Sequence, residues 1–247
     1  MKVKKQFFMY LAFAIMITVN ALANILPLNG YQTGEISNLY PVLFTPAGYV
    51  FSIWSVIYIG LFLWLLSFSM KKQRLSNAQY GGFLVTCLFN ALWIIAWHYL
   101  YDGLALLIIT GLLVSIFYLY QTQRHKNKST LMLLPISLYL GWIIVATLSN
   151  LSYWLVASIE IGASFQFALT YVLFVLTTVL AFSILYFLKD WGIIAVFIWA
   201  MIGIFVKNQA AHTTLALTVL GLTVLIGIAA LGYWWWVRKK QTPKYHF

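Results

Sequence analysis

The sequence predicts an all-α integral membrane protein with eight transmembrane helices, and three observations predict it. Of its 247 residues, 63% are apolar and only 8% are charged, and the mean hydropathy of +0.91 is far from that of an average soluble domain. Apolar stretches near the roughly 20 residues that a helix needs to cross the hydrocarbon core recur at about 6–27, 48–70, 79–99, 103–121, 131–151, 165–188, 191–206 and 213–237. Threaded alternately, these spans put Lys2, Lys4, Lys5, Lys71, Lys72, Arg74, Arg124, Lys126, Lys128, Lys189, Arg238, Lys239, Lys240 and Lys244 on one side and only Lys207 on the other. That 14-to-1 division is the positive-inside pattern with both termini cytoplasmic, and an odd number of spans would destroy it.

The same distribution excludes several function classes. A formal charge of +11 could suit nucleic acid, but the basic residues fall in short clusters between apolar spans rather than along one face. Of the acids, Glu35, Asp102 and Glu160 fall outside and Asp190 inside, so the bilayer interior needs no charge to couple ion movement. Cys87 is the only cysteine, which rules out a disulfide framework and a thiolate metal site. His98, His125, His212 and His246 are dispersed over both sides, no serine or cysteine nucleophile pairs with an oriented base, and no glycine-rich phosphate loop occurs. An enzyme is therefore not expected. The absence of an amphipathic Arg-rich transit sequence points to a bacterial plasma membrane rather than an organelle.

Taken in order, the first span reads in two ways. MKVKK, the apolar run Phe7 to Val19 and Ala-Leu-Ala at 21–23 suit either a retained helix or a cleavable signal peptide. Residues 28–47 contain Asn29, Gly30, Gly34, Asn38, Pro41 and Pro46, a composition for an external loop able to cover the bundle. Thr45 before Pro46 predicts an N-cap followed by proline at the first helical position, so the second helix is expected to begin near Pro46. On that helix Phe51, Trp54 and Tyr58 share a face; Asn90, Trp93 and Trp97 do so on the third, and Trp142, Ala146, Ser149 and Tyr153 on the fifth, with Asn150 at the edge. Such stripes serve either helix packing and interfacial belts or a ligand, and Trp97 and Tyr153, near span ends, are expected in the belts. Asn90 and Asn150 must face the bundle interior, as interhelical bonds or ligand contacts, because an amide in hydrocarbon is costly unless bonded. The last three spans are rich in Leu, Ile, Val and Thr and end in Trp234, Trp235 and Trp236 beside a basic tail, which reads as an interface anchor.

Three of these segments together resemble the TspO or translocator-protein family, the tryptophan-rich sensory proteins. Thr45, Pro46, Gly48, Val50, Phe51, Trp54 and Tyr58 match its loop-to-second-helix signature; Asn90 and Trp93 match its third helix, and Pro135, Trp142, Ala146 and Asn150 its fifth. Ala47 stands where the family has a second proline and Tyr49 where it has a tryptophan, which relaxes the helix start and alters an aromatic near the pocket mouth. The resemblance runs over about residues 6–155 and supports a retained first helix. It implies a five-helix bundle over 1–155, with residues 156–247 as a three-helix extension and basic tail. It further implies a cavity under the first loop that binds a hydrophobic, porphyrin- or tetrapyrrole-like ligand for sensing, regulation or translocation. Trp54, Tyr58, Asn90, Trp93, Trp142, Ala146 and Asn150 would line or support that cavity. A residue larger than Ala146 is expected to narrow it. No cofactor is required, a haem-type molecule being a ligand rather than a resident group. The expected partners are the bilayer, the small ligand and a second copy or another membrane protein, with no nucleic acid. Two alternatives stand beside this reading: a permease-type facilitator of a small hydrophobic substrate, and a structural or regulatory membrane subunit. Sterol-contact patterns at Val114, Tyr118 and Arg124 and at Leu231, Tyr233 and Arg238 are also produced by belt aromatics beside basic residues.

Overall fold

A computed structural model describes residues 2–26, 28–70, 75–126 and 130–241; Lys71, Lys72, Arg74, Lys128, Lys244 and His246, which entered the topology and histidine expectations, lie outside the described residues. Among the described residues, eight helices are long and apolar enough to cross a membrane. They are α1 (Lys2–Ile25), α3 (Ile53–Met70) with its 3₁₀ start Gly48–Ser52, α4 (Asn77–His98), α5 (Asp102–Lys126), α6 (Thr130–Ala157), α7 (Ala163–Ser183), α8 (Trp191–Asn208) and α9 (Thr213–Gln241). The loop after α1 holds one short helix, α2 (Thr33–Ile36).

The first five spanning helices close a ring in which α1 packs on α4, α4 on α5, α5 on α6, α6 on α3 and α3 on α1. Small residues set the close approaches, as expected where lipid supplies no hydrophobic drive between helices. A Cβ at Gly60 of α3 would lie 3.1 Å from the ring of Pro135 in α6, and one at Gly111 of α5 would lie 2.8 Å from Phe89 of α4. The remaining helices lie against this ring: α8 packs on α6, α9 on α8, and α7 on α6, α8 and α9. Glycine again makes the contact. A Cβ at Gly141 would meet Ile193 and Val196 at 3.1 Å, and one at Gly192 would meet Ser137 at 2.9 Å.

At the end of the bundle that carries both described termini, Asp190 ties three helices together. Its Oδ1 caps α8, accepting from the Gly192 and Ile193 amides at 3.0 and 3.3 Å, while Oδ2 accepts from Ser137 of α6 at 2.7 Å and Tyr120 of α5 at 2.9 Å. Arg124 completes the cluster, donating to the Tyr120 hydroxyl at 3.0 Å and to the Leu188 carbonyl at 2.6 Å. Leu188 ends a π-helical turn, Ile184–Leu188, and Lys189 follows in the left-handed region at φ 53°. Asp190→Asn keeps the shape and part of the cap but loses the charge-assisted bonds, so it should cost about 1–2 kcal/mol, measurable as a lower thermal midpoint in detergent. Arg124 is thus held by Tyr120 and Leu188, while Tyr118 borders a groove between α4 and α5.

The start of the second span differs from expectation. Thr45 does not cap it: the buried hydroxyl donates back to the Val42 carbonyl at 2.9 Å, and Ala47 is the residue at the N-cap of a 3₁₀ segment that becomes α-helical at Ile53. The reason lies in α8. The Ala47 amide donates to the Gly203 carbonyl at 3.1 Å, which ties the chain to α8 at the N-cap, two residues beyond Thr45.

Candidate functional site

Trp54 is the hub of an aromatic cluster inside the ring. It stacks on Tyr58 with centroids 5.4 Å apart, tilts against Trp93 at 6.1 Å, and meets Tyr139 and Trp142 edge-on at 5.8 and 6.2 Å. The cluster continues from Trp93 to Trp97 at 6.1 Å, then to Tyr153 at 4.7 Å and to Tyr40 of the loop at 5.5 Å. Trp97 and Tyr153 are therefore not belt residues. Both are buried, because the loop folds over them and the Trp97 indole donates to the Thr33 carbonyl at 3.3 Å.

Beside this cluster a cavity of about 600 Å³ opens between α1 and α3 under the loop. Helix α1 contributes Ile17, Asn20, Ala21, Asn24 and Ile25; the start of the second span contributes Gly48, Phe51, Trp54, Ser55 and Tyr58. Residues 32–35 and Asn38 roof it, and Ile94 closes the back. Its volume lies within the 300–1,000 Å³ typical of small-molecule sites. Trp54 lines the cavity, while its indole nitrogen is buried and has no hydrogen-bond partner.

Buried amides hold the walls. Asn20 donates to Asn90 at 2.7 Å and to the Met16 carbonyl at 2.9 Å, and Asn90 donates to the Tyr139 hydroxyl at 2.9 Å, so α1, α4 and α6 are joined through one chain of bonds. Asn24 accepts from the Thr33 amide at 3.2 Å and so pins α2 to the end of α1. Asn90→Leu would strand the Asn20 and Tyr139 partners in an apolar setting; a loss of about 1–3 kcal/mol is expected and thermal unfolding in detergent would detect it.

The roof is fastened on every side. Asn29 donates to the His98 carbonyl at 3.1 Å, and Gln166 of α7 donates to the Pro41 carbonyl at 2.9 Å. From α8, Asn208 donates to the Leu43 carbonyl at 3.0 Å, Trp199 to the Val50 carbonyl at 3.2 Å and Lys207 to the Ser37 carbonyl at 3.5 Å. Tyr49 meets Trp199 edge-on at 5.5 Å. Both residues that depart from the family signature, Ala47 and Tyr49, thus contact α8 as well.

The seven residues expected at the site divide into three groups. Trp54 and Tyr58 line the cavity. Trp93, Trp142, Ala146 and Asn150 line a separate, nearly closed pocket of about 20 Å³ behind it, where the Trp93 indole donates to Asn150 at 3.1 Å; Phe51 belongs to both walls. Asn90 sits behind the cavity as a brace between Asn20 and Tyr139. Ala146 therefore borders the small pocket rather than the large cavity. Sequence reasoning missed Asn20, Asn24, Ser55 and the roof residues Gln32 and Glu35. The signal was present in the pair Asn20 and Asn24, one turn apart in an otherwise apolar span, which marks a face turned inward rather than to lipid. A second groove of about 620 Å³ lies between α4 and α5, lined by Gly81, Gly82, Val85 and Val114 among others, and shares no lining residue with the cavity.

A ring of five spanning helices, an aromatic cluster and a fastened roof over a lateral cavity define a polytopic membrane protein built around a ligand-sized chamber. The model of the TSPO-like protein family matches residues 6–232, nearly the whole chain, and the protein belongs to that family. The match continues past residue 155 and through α7, α8 and most of α9, so these helices fall within the matched span. Neither a curated protein nor a solved structure matches the chain.

Proposed function

We propose that the protein binds a flat, largely apolar small molecule in the cavity between α1 and α3, for sensing, regulation or translocation, with the loop end facing outward and both termini in the cytoplasm. The observation that carries this reading is the cavity wall: Trp54 and Tyr58, stacked at 5.4 Å, border about 600 Å³ of space. A conjugated ring gains from stacking on such faces, and a few amides beside it can fix its orientation. A tetrapyrrole-like ring is the class that the family resemblance implies. No reacting group is assigned, so the reading is of a binder and not an enzyme. The permease-type alternative is weaker because the roof bonds to α4, α7 and α8 oppose the rocking that alternating access requires.

The test is a tryptophan-fluorescence titration of the detergent-purified chain with protoporphyrin IX dimethyl ester, corrected for inner-filter quenching. Saturable quenching is expected, weakened about tenfold or more by Ser55→Phe or Ala21→Phe, which fill the cavity from its mouth without entering the core. Linear quenching that neither substitution alters would remove the reading.

A further inference from the structure

The charge of the cavity selects among ligands. Among the described residues no basic side chain lines it, and Glu35, exposed at the rim, is its one charged group. One carboxylate oxygen of Glu35 accepts from the Gln32 amide at 2.7 Å, which anchors the side chain at the start of α2. Lys207, the only Lys or Arg at the loop end among the described residues, donates to the Ser37 carbonyl at 3.5 Å and is not part of the cavity lining. Asp102 and Glu160 stand at the same end, so its carboxylates outnumber its cations. The mouth is bordered by Asn24 and Ile25 on α1 and by Gly48 and Ser55 on the second span, all exposed. It thus extends from the polar roof along about two turns of helix into the lipid-facing seam.

From this juxtaposition we infer that the ligand is a cationic amphiphile, with its flat apolar body against Trp54 and Tyr58 and its positive group at the Glu35 rim. The inference rests on the ligand-binding reading of the same cavity. An aromatic wall attracts a cation through the ring faces, and a carboxylate at the edge of a low-dielectric cleft adds to that attraction. A ligand bearing two carboxylates meets the opposite situation, one like charge at the rim and no cation to pair either group, and unpaired charge is how a site rejects a competitor. An amphiphile dissolved in the outer leaflet already holds its polar group at the interface and its body in hydrocarbon, the orientation that the mouth between α1 and α3 accepts.

Three probes with one ring system separate the outcomes: protoporphyrin IX, its uncharged dimethyl ester and its dicationic bis-choline ester, each titrated against the full chain in non-ionic detergent. Affinities are read as ratios to the uncharged ester. The cationic ester is expected to bind about tenfold or more tightly than the diacid. Glu35→Gln, whose amide oxygen can still accept from the Gln32 amide, should shrink that ratio several-fold, and Glu35→Lys should reverse the order. If the uncharged ester binds but the diacid equals or exceeds the cationic ester, or if Glu35→Lys leaves the ratio unchanged, the charge assignment is overturned and the cavity reading stands. If none of the three binds saturably, both fall.

Discussion

Gly203→Val should be the most damaging single substitution at the junction between the roof and α8. A Cβ at this position would lie 2.2 Å from a methyl of the fully buried Val50 and 3.0 Å from Pro46, and the added methyls of valine extend further into the same space. Overpacking in a core usually costs about 1–3 kcal/mol, and a clash this close belongs at or above the top of that range. The expected result is a thermal midpoint lowered by about 6–12 °C in detergent, with the loop from Leu43 to Val50 more open to proteolysis because Asn208, Trp199 and the Gly203 carbonyl lose their partners there. A double-mutant cycle separates steric conflict from other causes: Gly203→Ala alone should destabilise, and Gly203→Ala with Val50→Ala should recover part of the loss. Equal stability of the single and double variants would contradict the contact.

Trp54→Ala is expected to have the second largest effect and to act on stability and binding together. The indole touches Tyr58, Trp93, Tyr139 and Trp142, so its removal deletes the common member of four ring pairs. Truncating a buried tryptophan costs about 3–5 kcal/mol; Trp54 is only half buried and borders a cavity, which puts the cost near about 3 kcal/mol. Affinity for the uncharged tetrapyrrole ester should fall by more than about tenfold. Trp54→Phe keeps an aromatic face with less area and should recover most of the stability while recovering less of the affinity. A variant that loses stability yet binds the ester as tightly as the parent chain would place Trp54 in the scaffold alone.

Much of this arrangement could be read before the structure. All eight spans lie where apolar length predicts them, since bilayer thickness constrains a helix through nothing but its own composition. The ends moved by several residues: α5 runs to Lys126 and α6 to Ala157, because polar and aromatic residues can continue a helix past the hydrocarbon. The faces of Trp54, Trp93 and Trp142 were also legible, because helical spacing alone aligns each with its neighbours. What stayed hidden depends on pairs far apart in the chain. Thr45 looked like a helix cap, yet its neighbour Ala47 is claimed by Gly203, over 150 residues away, and no local signal carries that contact. Trp97 and Tyr153 looked interfacial by position, and only the folded loop encloses them. Asp190 looked like a polar residue between spans, whereas its hydrogen bonds gather α5, α6 and α8.

Helix α8 is gripped at two levels, by Asp190 where it begins and by the Gly203 carbonyl near where it ends. The 13 residue steps from Asp190 to Gly203 span about 20 Å of a rod that does not compress easily. Its length sets the height of the ceiling above the floor. A sideways or lengthwise push at either grip must reappear at the other, so the ceiling of the chamber and the basic face of the protein are two ends of one lever. The backbone hydrogen that couples them is one that a proline at position 47 would lack.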